Sequence, residues 1–194
     1  MRTSHRSLPV AIGFGLLASC PCSADPSAVE PQAAQVLSAQ ALSAQALSAQ
    51  ALAMLPIRML DTSGEPKDQT SEHAARLAAM AEGLSAGLVA EGRFRVAEIS
   101  AESLARSCPD NAPTCILGAA RKADAGFAFV GVIHKSSTLI MQIFARIVET
   151  RGGTTVFSRE LNFRGDNDES WRRAEAFLLR EIEADSPGGA RAKK

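Results

Sequence analysis

From Pro56 onward, apolar and polar positions follow rhythms that switch between about two and about three and a half residues, and each switch marks an element. Pro56–Asp61 (PIRMLD) is a short apolar run closed by Thr62-Ser63-Gly64-Glu65-Pro66, a strand and its turn. Gln69–Glu91 carries Leu77, Met80/Ala81, Leu84 and Leu88 at steps of three and four, a helix with Asp68 as its N-cap and Gly92 as its stop. Arg93–Ile99 alternates with period two, a second strand. A loop with Cys108 and Cys115 leads into a helix around Thr114–Ala123. Phe127–His134 (FAFVGVIH) is nearly all apolar, as in a central strand buried on both faces. Leu139–Glu149 is a fourth strand, Arg151-Gly152-Gly153-Thr154 a hairpin turn, and Thr155–Phe163 a fifth strand. A last helix follows, capped by Asp166 with Glu169 three residues on, its buried stripe being Trp171, Ala174, Leu178 and Ile182. The predicted fold is α/β, a single mixed five-stranded sheet with packed helices in the order β-α-β-α-β-β-β-α.

Upstream the rhythm is of another kind. Met1–Ser7 holds Arg2, His5 and Arg6 and no acid, and Leu8–Ala18 (LPVAIGFGLLA) is an unbroken apolar run. That is the length of a signal-peptide core and too short for a transmembrane helix. Two cleavage sites compete. Leu17-Ala18-Ser19-Cys20 fits a lipobox that would leave a lipidated Cys20 as the membrane tether, and Cys22-Ser23-Ala24 fits the small-x-small rule. Leu37–Ala51 then repeats LSAQA three times, and no charged residue stands between Pro31 and Ile57. A five-residue step turns about 140° around a helix, so the repeated Leu forms no stripe, and a semi-helical or disordered spacer is expected. The predicted organisation is a signal peptide over 1–24, a spacer over 25–53, an α/β domain over 54–184 and a disordered tail over 185–194.

Composition narrows the function. Lys plus Arg and Asp plus Glu number 21 each, so no polyanionic partner is implied, and with 5% aromatics and no Tyr the composition argues against a base-stacking surface. No nucleic-acid partner and no cofactor is expected.

The candidate chemistry is thin. Cys108 and Cys115, the only cysteines of the domain, suit a disulfide in an oxidising compartment; His73 and His134 do not complete a metal-binding spacing with them. Gly83-Leu84-Ser85-Ala86-Gly87 matches the string of a hydrolase nucleophile elbow, for which His134 would be the base. The string nonetheless lies in a helix-periodic run, where small residues let the helix approach the sheet. Asp61-Thr62-Ser63-Gly64 departs from an aspartic-protease loop at Ser63 and reads as a strand end and turn. Asp166, Asp168 and Glu169 crowd one turn, which suits a helix N-terminus better than a cation loop, whose central Gly and distal Glu are missing.

The domain resembles a family of exported alphaproteobacterial proteins of unknown function. The matching pieces are Leu60-Asp61-Thr62-Ser63, Gly92-Arg93-Phe94-Arg95-Val96, the paired Cys before a helix, Ala123-Asp124-Ala125-Gly126, His134–Ile140 and above all Arg164–Arg173. More loosely, the element order resembles the N-terminal domain of TolB and the periplasmic domain of the curli secretion lipoprotein CsgG. That resemblance implies an envelope assembly or interaction domain, by fold analogy alone.

These readings lead to a non-enzymatic, exported envelope protein that binds another envelope protein through Asp166, Asp168, Glu169, Trp171, Arg172 and Arg173. A second reading is a periplasmic small-molecule or lipid binder with a cleft between the sheet and the Cys108–Cys115 loop. A third is a serine hydrolase using Ser85.

Overall fold

The computed structural model describes residues 49–185. The signal segment, Cys20, the spacer before Ala49 and the tail from Ser186 lie outside the described residues. The elements are β1 (Gln50–Met54), β2 (Arg58–Asp61), α1 (Thr70–Ala90), β3 (Phe94–Glu98), α2 (Ala101–Ser107), α3 (Pro113–Lys122), β4 (Phe127–Lys135), β5 (Met141–Glu149), β6 (Thr155–Phe163) and α4 (Asp168–Ala184).

One mixed sheet runs β3-β1-β4-β5-β6, with β2 also paired to β4. β1 and β2 dock in succession on one edge of β4, Leu52–Met54 along Phe127–Phe129 and Arg58–Asp61 along Val132–Lys135. Pro56 stands in the gap between them, where a residue without an N–H leaves no ladder bond unmade. β1 also pairs with β3 on its other side, all in parallel, while β5 and β6 return antiparallel.

Six strands therefore replace the five expected. The missing one is β1, hidden because its first residues, Gln50 and Ala51, close the third LSAQA copy. The spacer expected to continue to residue 53 gives way to the sheet at Gln50. Leu52, Ala53, Met54 and Leu55 are all buried, since both faces of a central strand are covered. The cysteine loop likewise holds a helix, α2, whose N-cap Ser100 accepts from Ser103 N at 3.2 Å.

The two faces of the sheet differ. On the first, Leu52, Met54, Phe129, Ile133, Met141, Ile143 and Ile147 pack against α1 and α4. α4 buries the expected stripe of Trp171, Ala174, Leu178 and Ile182. On the second, α2 and α3 cover only part of the surface, closing over Ala53, Leu55 and Ala128 with Leu104, Ile116, Leu117 and Ala120. Phe144 and Val156 remain exposed.

Three local expectations change. Gln69, not Asp68, precedes the first helical residue of α1; Asp68 instead accepts from Thr70 N at 3.0 Å and its hydroxyl at 2.7 Å. Asn167, not Asp166, caps α4, accepting from Ser170 N at 3.0 Å, which frees Asp166 for another task. The small residues of α1 admit a helix rather than the sheet: a Cβ at Gly83 would meet the Glu175 carboxyl at 2.0 Å, and one at Gly87 the Leu179 side chain at 2.6 Å.

Candidate functional site

Period-two alternation along β4 puts Phe129, Ile133 and Lys135 on the helix-covered face. The Lys135 side chain is 0% exposed at the carboxyl end of the strand, so its ammonium needs buried acceptors. It donates to Glu65 Oε2 at 3.0 Å, to Asp166 Oδ2 at 3.1 Å and to Gln69 Oε1, which uses all three of its N–H groups. Asp61 lies 3.8 Å away.

Asp166 is the opposite pole, its side chain 1% exposed. Oδ2 accepts from His73 Nε2 at 2.7 Å and from Lys135; Oδ1 accepts from Arg76 Nη1 at 2.9 Å and Trp171 Nε1 at 3.2 Å. Four donors fill a carboxylate's capacity. Burial pushes the Asp166 carboxyl up, but the hydrogen bonds from His73 and Lys135 outweigh it and hold it below the usual range. Burial likewise pushes Lys135 down, and Glu65 and Asp166 more than reverse it. The Lys135 hydrogen bond holds Glu65 low as well.

This cluster ties together three connections: the β2–α1 loop through Glu65 and Gln69, the β4–β5 hairpin and the turn before α4. Thr138 makes the cross-link explicit, its N–H donating to Glu65 Oε1 at 2.7 Å and its carbonyl accepting from Asp166 N at 2.9 Å. Every charge in it is matched from within, Arg76 adding Asp168 at 2.8 Å.

The structure thus divides the predicted interaction segment. Asp166 and Trp171 are buried, Trp171 with its ring edge-on to Phe163 at 5.9 Å. Asp168 pairs with Arg76, Glu169 pairs with Arg173 at 3.3 Å, and Arg172 is exposed beside a groove between α1 and α4. Cys108 and Cys115 are joined as a disulfide, closing the connection between α2 and α3. Ser85 lies inside α1, 7% exposed, with its hydroxyl unbonded. A nucleophile elbow needs a strand-to-helix turn, so the hydrolase reading falls. His134, its proposed base, instead bonds Thr62 Oγ1 at 2.8 Å and Gln142 Oε1 at 3.1 Å. The Asp61 string is a turn: Asp61 accepts from the Ser63 hydroxyl at 2.6 Å and its N–H at 2.9 Å. Among the described residues no group of three or more His, Cys, Asp or Glu is placed to hold a metal.

On the second face, a cleft of about 600 Å³ separates the sheet from α2, α3 and their disulfide-closed connection. Leu55 and Val130 form its floor and Leu104, Ile116 and Leu117 its wall. Arg58 and Arg146 also line it, and no Asp or Glu does. Neither arginine stands out in the sequence, since Arg58 sits in a short apolar run and Arg146 at a polar position of an alternating strand.

No curated protein matches the sequence. Among solved structures, the PelC dodecamer of Paraburkholderia phytofirmans is 12% identical over 71% of this chain and 87% of its own, with a TM-score of 0.45. The LpoB C-terminal domain of Salmonella enterica is 12% identical over 66% and 93%, with a TM-score of 0.38. TolB of Acinetobacter baumannii is 14% identical over 72% of this chain but only 29% of its own, with a TM-score of 0.44. The family model DUF3280, described as protein of unknown function (DUF2380), matches residues 50–182, from the first residue of β1 to the last buried residue of α4, and the chain belongs to that family.

Proposed function

We propose that this is a non-enzymatic binding module of an exported envelope protein, and that its binding site is the cleft between the sheet and the α2–α3 unit. The observation that carries this reading is the cleft itself, a concavity of about 600 Å³ with an apolar floor and wall. That is a volume and a lining typical of small-molecule sites. The dense group of ionisable residues around Lys135 and Asp166 supports the non-enzymatic part because its charges are spent on each other. Export is supported by the signal-like N-terminus and by the Cys108–Cys115 disulfide, a bond suited to an oxidising compartment.

The test is binding of a neutral apolar dye such as Nile red to the full chain. Val130→Trp places an indole on the cleft floor and abolishes binding while the far-ultraviolet circular dichroism stays unchanged. Binding that survives this variant places the dye elsewhere and defeats the reading.

A second reading, docking of an envelope protein at the Asp166–Arg173 segment, is favoured by one observation. A groove of about 620 Å³ runs beside that segment, with Ala75, Ala79 and Met80 along α1 and Arg172 and Glu175 along α4. Pull-down from envelope extracts with wild-type chain and with Arg172→Glu/Arg173→Glu tests it. A partner recovered equally by both rules it out.

A further inference from the structure

The proposed cleft has a chemical polarity beyond its shape. Arg58 is the register partner of Val132 and Arg146 that of Val130, so the two arginines flank β4 on the second face of the sheet. Two inter-strand spacings and one two-residue step put their Cα atoms about 12 Å apart, within mutual reach of two arginine side chains. Both are exposed, and neither guanidinium has an ion pair or hydrogen bond among the described residues. Arg76, Lys135, Arg159 and Arg173, by contrast, are paired with Asp166, Glu65, Glu181 and Glu169. Two unpaired positive forks thus line an apolar trough whose lining holds no carboxylate.

Resting on the cleft reading above, we infer that the ligand is an anionic amphiphile, with one apolar chain along Leu55, Leu104, Ile116 and Leu117 and a carboxylate or phosphate head between Arg58 and Arg146. A purely apolar ligand would leave the two guanidiniums to water alone, whereas an anion accepts charge-assisted hydrogen bonds from both. A cationic head would meet like charge. The acid-free lining distinguishes this site from the α1–α4 groove, where Glu72, Asp168 and Glu175 stand beside Arg76 and Arg172.

Calorimetric titration of the full chain with dodecanoate, dodecyl phosphate, dodecanol and dodecyltrimethylammonium, each below its micelle concentration or, for dodecanol, its solubility limit, tests the inference. Dodecanoate and dodecyl phosphate should bind at least about tenfold more tightly than dodecanol, as for charge-assisted bonds partly open to water. Arg58→Gln/Arg146→Gln should erase that margin and leave dodecanol affinity unchanged. Equal affinities for acid and alcohol, both lost in Val130→Trp, overturn the anionic ligand but leave the cleft reading standing. No binding of any of the four overturns both. The relative strength of dodecanoate and dodecyl phosphate identifies the head group.

Discussion

Lys135 Nζ and Asp166 Oδ2 lie 3.1 Å apart with both side chains sealed from water, 0% and 1% exposed. One is the last residue of the central strand β4, and the other stands just ahead of α4. Their pairing fixes where α4 lands on the sheet, and it does so with charges that no solvent can replace.

Removing one pole should therefore cost far more than a surface ion pair. Asp166→Ala leaves Lys135, Arg76 and His73 without their common acceptor and should lower stability by about 3–5 kcal/mol. Lys67→Ala, which breaks an exposed pair with Glu72, should change it by about 0.5 kcal/mol or less. Urea unfolding followed by circular dichroism measures both. Similar losses in the two variants would contradict the keystone role.

The same pair sets two limits on pH stability. The folded Asp166 carboxyl titrates below its ordinary value of 3.8, so its contribution is full above that pH and disappears as the pH falls through the folded value. The folded Lys135 ammonium titrates above 10.5, so its contribution is full below that pH and is lost as the pH rises through the folded value. Thermal unfolding across the pH range should show Tm falling at both extremes. Asp166→Asn should flatten the acid limb.

Near neutrality a different group acts. Burial and then Glu183, as hydrogen-bond partner and like charge, push the Glu91 carboxyl up to about 7. Because the folded form holds its proton longer than the unfolded one, stability falls as the pH rises from about 4.5 to about 7. Glu91→Gln should remove that slope and raise Tm by about 1–3 °C at pH 8, with little change at pH 4.5. A Tm difference independent of pH would show that the Glu91 carboxyl is not raised in the folded state.

The α1–α4 seam predicts opposite outcomes for two glycines one helical turn apart. A methyl at Gly83 meets the flexible end of Glu175, whose carboxyl is already pushed up by burial and can swing towards water. Gly83→Ala should be neutral or gain up to about 1 kcal/mol of helix propensity. A methyl at Gly87 meets the branched end of half-buried Leu179, so Gly87→Ala should destabilise by about 1–3 kcal/mol. Denaturant midpoints of the two variants decide the matter, and equal shifts would mean that the helices move apart freely.

Much of this architecture was legible in the sequence because periodicity reports burial directly. The stripe from Trp171 to Ile182 and the runs of β4 to β6 are one-face or two-face patterns that tertiary packing then used. β1 escaped because its opening residues repeat a spacer unit, and a repeated polar Gln masks an apolar strand that begins beside it. α2 escaped because seven residues are too few for a period to emerge, although Ser100 offered a cap. The polar cluster was harder still. Extending the β4 alternation one residue past His134 places Lys135 on the buried face, which demands a counter-ion but does not say which. Asp166 and Glu65 reach it from 31 and 70 residues away in sequence, His73 joins only through Asp166, and the fold alone brings them together.

The place where β1 begins has a mechanical meaning. At Ala49 the chain enters not an edge strand but one clasped on both sides, by β3 and by β4. If the N-terminal segment is a leash, a pull along it loads two parallel ladders of hydrogen bonds lengthwise together, rather than unzipping one bond at a time. Lengthening or shortening the leash by whole LSAQA units would alter the reach of the domain and leave the grip of Gln50–Met54 on the sheet as it is.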